Sequence, residues 1–218
     1  MGIREIVVAG TIIVIHELDD VYDSVTGRPL TGSWVWDSAL VLSKWMFTQV
    51  DFQGNSVLEV GAGAGVPGLV AARLGASRVV LTDVKPLLPG LLKNVEANTL
   101  TDRVEVKELV WGSDESALRL GETGKFDIVL MSDVFFDPEG VEGLGRTLKM
   151  VCGDNTNIWA ASELRPWTGE CLNQLTVMGF GVVELPSEPS ESIKGEDSNP
   201  FAIFHIAPPA EEKCSAES

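Results

Sequence analysis

The stretch Val57-Leu58-Glu59-Val60-Gly61-Ala62-Gly63-Ala64-Gly65-Val66-Pro67-Gly68 constrains this chain more than any other. Ser56 to Val60 is an apolar run of strand type that feeds directly into alternating glycines, and Leu69-Val70-Ala71-Ala72-Arg73-Leu74 then reads as a helix. The pattern is a strand, a tight turn and a helix. Glycines at the carboxyl end of a strand let the turn fold sharply and let a ligand approach backbone where a Cβ would collide. A nucleoside-bearing ligand is expected there.

Two departures narrow the choice of nucleoside. A dinucleotide fingerprint requires Gly-x-Gly-x-x-Gly/Ala, and counting from Gly61 its last position is the bulky Val66. No Gly-Lys-Ser/Thr follows, so a phosphate-cradling loop with its lysine is missing as well. What is present is Glu-x-Gly-x-Gly-x-Gly. A carboxylate at Glu59 is awkward for a pyrophosphate but suits a cofactor carrying an ammonium and a sulfonium group. One strand later Val79-Val80-Leu81-Thr82-Asp83 ends in an acid, placed to accept hydrogen bonds from both ribose hydroxyls. S-adenosylmethionine fits these features best, with a plain tight turn as the bland alternative.

A chain of 218 residues with 44% hydrophobic content suffices for one domain with a full core. The net charge of −16 opposes a nucleic-acid backbone and favours basic partners, within a screening length of about 8 Å at physiological salt. Solubility is the simpler use of the acids. Cys152, Cys171 and Cys214 are far apart, and His16 and His205 are the only histidines, so neither a disulfide framework nor a metal site is expected. The amino terminus lacks a signal-peptide pattern, and no run approaches the roughly 20 apolar residues of a membrane span. A cytosolic or nuclear monomer, bound to neither nucleic acid nor membrane, is expected.

Along the chain, Ile3 to Ile15 reads as a hairpin turning at Ala9-Gly10, and Asp19 to Gly32 as a loop. A helix follows from Trp36, where Ala39, Leu40, Leu42, Trp45 and Met46 lie at helical spacing. Strand Arg78 to Asp83, helix Leu87 to Asn98 and strand Arg103 to Leu109 come next. Gly112 to Gly124 reads as a polar loop, and Phe126 to Ser132 as a strand buried on both faces. Helix Glu139 to Val151, strand Asn157 to Ser162, helix Trp167 to Met178 and strands Phe180 to Leu185 and Phe201 to Ile206 complete the series. The acidic, serine-rich Pro186 to Pro200 reads as a mobile loop and Ala207 to Ser218 as a disordered tail. Such alternation means a mostly parallel α/β sheet covered on both faces, with ligands outside the strands' carboxyl ends. Glu59 to Gly65, Asp83, Trp111 and Ser132 to Phe136 are therefore expected to meet in space.

Four segments are more specific: Val35-Trp36-Asp37-Ser38-Ala39, Leu58 to Gly65, Leu109-Val110-Trp111-Gly112, and Ser132-Asp133-Val134-Phe135-Phe136. In this order they resemble the seven-β-strand protein-lysine methyltransferases that act on non-histone proteins such as chaperones, AAA ATPases and elongation factors. The resemblance covers about residues 5 to 206. It implies a Rossmann-like class I methyltransferase fold over residues 1–206, with a seven-stranded sheet and residues 1–32 as an N-terminal hairpin and loop extension. It also implies that Trp36, Gly61, Ala62, Gly63, Asp83, Trp111 and Ser132 touch S-adenosylmethionine. Core packing is the alternative for the two tryptophans.

The implied reaction is attack of a neutral lysine amine on the methyl carbon. Asp133 is the candidate for holding that amine, and its alternative is to cap the helix that follows. The family motif here is Asp-x-x-Tyr, but the fourth position is Phe136. Loss of the hydroxyl either lowers activity or makes room for an already methylated amine. Glu163-Leu164-Arg165 resembles a family Glu-x-Arg segment, which shapes the acceptor pocket or forms a structural ion pair. Methylation of a small molecule or another side chain, or a binding module with weak catalysis, are the alternatives to a protein-lysine methyltransferase.

Overall fold

Ser56–Val60 forms a strand in the middle of a seven-stranded sheet, with the glycine turn leaving its carboxyl end. The computed structural model describes residues 2–8, 10–17, 21, 22, 27, 30–121, 125–186 and 200–210. Its elements run β1 (Gly2–Val8), β2 (Thr11–Glu17), α1 (Asp37–Gln49), β3 (Ser56–Val60), α2 (Val66–Arg73), β4 (Arg78–Asp83), α3 (Leu88–Ala97) and β5 (Val104–Glu108). Then follow α4 (Asp114–Gly121), β6 (Phe126–Ser132), α5 (Pro138–Val151), β7 (Cys152–Glu163), α6 (Thr168–Val177), β8 (Gly181–Leu185) and β9 (Phe201–Ala207).

The sheet order is β5-β4-β3-β6-β7-β9-β8. All neighbours pair in parallel except at β9, which runs against both β7 and β8. Side chains alternate across each strand, so a doubly covered sheet needs apolar residues on both faces. Val57, Val79 and Leu130 join one core with Leu42 of α1, Leu69 of α2 and Leu91 of α3. Leu58, Val80 and Val129 join the other with Leu120 of α4, Leu144 of α5 and Leu175 of α6.

The hairpin expected at the amino terminus is present, with Ile6 opposite Ile13 and Val8 opposite Thr11. Its inner face, Ile6, Val8, Ile13 and Ile15, is buried in the first core. Two asparagines spaced one turn apart, Asn94 of α3 and Asn98 at its C-cap, pin it there. Asn98 accepts the Val14 N–H at 2.9 Å and donates to the Val14 carbonyl at 2.7 Å, while Asn94 accepts the His16 N–H at 2.8 Å. Asn94 also donates to the carbonyl of Ala64 at 3.0 Å, so it joins hairpin, helix and glycine turn.

The structure corrects the sequence reading in three places. The supposed polar loop at 112–124 contains helix α4, which buries Ala117 and Leu120 and carries Asp114 and Glu115 in its first turn and Arg119 in its last, as a helix dipole favours. Strand β7 starts at Cys152 rather than Asn157, through a register shift opposite Phe126. Ala207, expected in the tail, ends strand β9. Most of the 19–32 loop, the 187–199 segment and residues 211–218 lie outside the described residues.

Candidate functional site

In an open parallel sheet a crevice forms where the chain leaves a strand in opposite directions, because the flanking helices lie on opposite faces. Here that point is the end of β3, between β4 and β6. A cavity of about 1060 Å³ opens there. Of the residues the topology brings together, Gly61 to Gly65, Asp83, Trp111, Ser132, Asp133, Val134 and Phe136 line it, while Glu59, Val60 and Phe135 do not; Trp36, expected there from the resemblance alone, lines it as well.

Gly61, Gly63 and Gly65 all have left-handed φ, 65°, 55° and 82°, which side chains other than hydrogen strain to adopt. Close approach adds a second reason. A Cβ on Gly61 would stand 3.1 Å from the Trp111 ring and 3.2 Å from Val134, and one on Gly63 would stand 2.5 Å from the carbonyl oxygen of Gly32. Part of the room the glycines leave is thus taken by the chain itself. Ala62 is buried beside them on the cavity wall.

Asp83 accepts the Gly63 N–H at 2.8 Å on one oxygen and the Val84 N–H at 2.7 Å on the other. Burial pushes its carboxyl above the usual range, and those two N–H groups pull the other way. Each oxygen keeps a further lone pair for a hydroxyl, so a vicinal diol can be held by both at once.

Glu59 is placed elsewhere. Its side chain is fully buried, does not line the cavity, and accepts the Gly68 N–H at 2.8 Å beneath α2. Its second oxygen has no hydrogen-bond partner. Desolvation pushes the carboxyl up to about 8, opposed by the Gly68 N–H and reinforced by the charge of Asp83. The contact expected between Glu59 and a ligand's ammonium group is therefore not the one the geometry offers; this carboxyl fastens the start of α2.

Asp133 follows β6 with a left-handed φ of 57° and donates its N–H to the carbonyl of Ala161 at 2.9 Å. Both carboxylate oxygens are taken by Arg165, at 2.8 and 2.9 Å, and Arg165 also reaches Glu163 at 2.7 Å. These contacts hold the Arg165 guanidinium protonated even more firmly than usual. Its cation lies over the Trp36 ring, 5.8 Å from the centroid. The cap of α5 is Asp137, which accepts the Glu139 N–H, so Asp133 is free of that duty. Trp36 and Phe136 are exposed, Trp111 and Ser132 partly so, and the rings of Trp111 and Phe136 meet at 6.1 Å with a 41° tilt. Ion pair and pocket wall are both true of Arg165.

Sequence reasoning missed the roof of the cavity, Gly32, Trp34 and Val35, and the face of α5 that carries Gly140 and Gly143. A Cβ on Gly143 would stand 3.1 Å from the carbonyl oxygen of Trp111, so the helix needs glycine to approach that loop. The adjacency of Trp34 to Trp36 and the Gly-x-x-Gly spacing were the available signals. Among the described residues, no cluster of His, Cys, Asp and Glu is arranged to hold a metal.

The lysine methyltransferase family model matches residues 23–172, more than half of the chain. The chain belongs to that family. This lysine methyltransferase family member is 40% identical over 135 residues to the protein N-lysine methyltransferase METTL21A of Mus musculus, covering 60% of each protein. It is 39% identical over 153 residues to the EEF1A lysine methyltransferase 3 of Mus musculus, covering 69% of this chain and 63% of that one. The matched stretch thus spans about three fifths of those relatives, 60% and 63%. Among solved structures, the T. thermophilus 16S rRNA N2 G1207 methyltransferase (RsmC), in complex with AdoMet and guanosine, shares the fold with a TM-score of 0.62 at 20% identity, over 95% of this chain and 50% of that one.

Proposed function

We propose that this protein is an S-adenosylmethionine-dependent methyltransferase acting on the ε-amine of a lysine in a non-histone protein. The observation that supports the reading is one cavity at the switch point lined by two partly buried carboxylates, Asp83, whose free lone pairs suit a ribose diol, and Asp133, to which we assign the acceptor amine. The residues present fit the cofactor: Asp83 has lone pairs for the ribose, Trp36 and Trp111 offer flat apolar walls, and Ser132 offers a hydroxyl. At about 1060 Å³ the cavity lies at the large end of the roughly 300–1,000 Å³ range of small-molecule sites.

S-adenosylmethionine supplies, when bound, an electrophilic methyl group on a sulfonium sulfur. The lysine nitrogen forms its bond to that carbon as the carbon–sulfur bond breaks, leaving a neutral thioether. A lysine has a reference pKa of about 10.4, so its ammonium proton must first leave to water. Asp133 accepts an N–H of the amine and aims its lone pair, and the aromatic walls exclude solvent. Positioning of this kind contributes up to about 7–11 kcal/mol in the best intramolecular models.

The acceptor class follows from the relatives' names, protein N-lysine and EEF1A lysine methyltransferases, and by resemblance includes chaperones, AAA ATPases and elongation factors. We place the protein, as a monomer, in the cytosol or nucleus; cell fractionation and sedimentation test both statements. Function itself is tested by incubating the protein with labelled methyl donor and a proteome extract. Label on lysine is the expected result, whereas label only on small molecules, or none, overturns it. For the cofactor site, Asp83→Asn should weaken S-adenosylhomocysteine binding about tenfold or more by calorimetry, the value of a lost charged hydrogen bond, and unchanged affinity refutes the ribose assignment.

Phe136 favours a second reading, weak catalysis, because an exposed ring stands where the resembling motif has a phenol. Single-turnover rates and the mass distribution of products decide. Phe136→Tyr should raise the rate several-fold or shorten the methylation series, and a variant identical to wild type in both would refute both effects of the missing hydroxyl.

A further inference from the structure

We infer that Arg165 is a positioning residue that sets the proton balance of the acceptor amine: by taking both oxygens of Asp133 it fixes that carboxylate in one plane and offsets its charge, so the site favours a free amine over an ammonium. The inference rests on the assignment of Asp133 to the amine.

A carboxylate facing a lysine has two opposed effects. As a hydrogen-bond acceptor it aims the nitrogen, but as an anion it stabilises the ammonium form, which has no lone pair to react. The wall sharpens this conflict. Among the described residues its charges are Asp83 at the end of β4, Asp133 after β6, Glu139, Glu142 and Arg146 on α5, and Arg165 after β7. Glu163 adds a further negative charge against Arg165. The guanidinium of Arg146 is turned to the carbonyl of Gly112, at 3.2 Å. Arg165 is therefore the cation in direct contact with Asp133, and acids dominate the wall around it.

The geometry is built for this contact. The bidentate pair has side-chain exposures of 18% for Arg165 and 9% for Asp133, low enough that solvent screens it weakly. Arg165 is itself held: its N–H donates to the Thr168 hydroxyl at 3.0 Å, that hydroxyl donates to the Glu163 carbonyl at 3.1 Å, and Trp36 lies under the guanidinium. Asp133 holds a left-handed backbone that costs a non-glycine residue of order 1 kcal/mol, and such strain persists where surrounding contacts over-determine it. One oxygen lone pair each remains for the substrate nitrogen.

The test measures initial rates of methyl transfer from labelled S-adenosylmethionine to lysine in a protein extract from cells lacking this protein, across neutral to alkaline pH at saturating donor. Arg165→Gln should move the rising limb of the profile to higher pH by about one to three units, the usual effect of a nearby charge, with a tenfold or greater loss at neutral pH that alkaline pH restores. Arg165→Lys, which keeps the charge but not the planar fork, should keep the wild-type limb and lose only kcat. Asp133→Asn should move the limb toward acid. Arg165→Gln activity lowered equally at every pH would mean a merely structural role and overturn the inference while leaving the assignment of Asp133 standing. Wild type that labels no lysine at any pH overturns both. Calorimetric titration with S-adenosylhomocysteine checks that Arg165→Gln folds; if it does not, Asp133→Asn decides, and an unmoved limb overturns the proposal.

Discussion

Glu59 illustrates how much a single residue's side of a strand decides. Its place beside the glycines was legible, but its partner was not, because the hydrogen bond to the Gly68 N–H depends on how α2 folds back over β3. The Cβ space at Gly68 makes the same point, since a methyl there would stand 2.6 Å from Glu59 Oε2 and 2.2 Å from Leu81. A consequence follows for pH. The unfolded chain releases the Glu59 proton near 4.5 and the folded chain near about 8. Between those values the folded state holds a proton the unfolded state has lost, so stability falls as pH rises through that window. Glu59→Gln keeps the acceptor for Gly68 and removes the titration. Thermal unfolding at a series of pH values should show the variant gaining on wild type by roughly 1 kcal/mol per pH unit across the window, and parallel curves would show the buried proton to be absent. The Asp133–Arg165 pair was less legible still: both residues stood out separately, yet nothing in the letters joins positions separated by the whole of α5 and β7.

At the scale of elements, strongly patterned segments announced themselves. Strands β3, β4 and β6 needed no tertiary information, because burial on both faces is written as consecutive apolar residues, Val57-Leu58, Val79-Val80-Leu81 and Ile128-Val129-Leu130-Met131. Helix α4 escaped because its buried contribution is confined to Ala117 and Leu120 among acids and an exposed Leu118. The hairpin was legible as strands, but its attachment was not, since it depends on Asn94 of α3 and on Asn98 at the C-cap of that helix, which look like ordinary surface positions. Asn98 is 2% exposed and spends both ends of its amide on Val14. Asn98→Ala should therefore cost about 1–3 kcal/mol by leaving partly buried backbone groups of the hairpin unpaired. Urea unfolding gives the magnitude, and hydrogen exchange at the Val14 amide gives the location. A variant as stable as wild type, with Val14 still protected, would show that β1 and β2 are held by their apolar face alone.

The whole molecule carries a net charge of −16, and its sheet order is what turns separate motifs into one site. Alternation in the sequence implied a parallel sheet with its crevice at the carboxyl ends, but the insertion of β9 between β7 and β8 is a long-range pairing with no local signature. The charge has a kinetic meaning if acceptors are basic. Attraction between opposite charges speeds encounter and is screened beyond about 8 Å at physiological salt, so kcat/KM for a basic protein acceptor should drop several-fold as salt rises. Affinity for S-adenosylhomocysteine should stay nearly constant over the same range. Equal salt responses of the two would assign the acids to solubility. One last property emerges from two glycines that meet at the turn after β3, Gly32 and Gly63, where a methyl on the second would collide with the carbonyl oxygen of the first at 2.5 Å. The dependence runs one way, since a methyl at 32 would press instead on the Leu87 side chain: a lineage that acquires alanine at 63 must reroute the backbone at 32, and with it the neighbouring tryptophans, before the bend below can close.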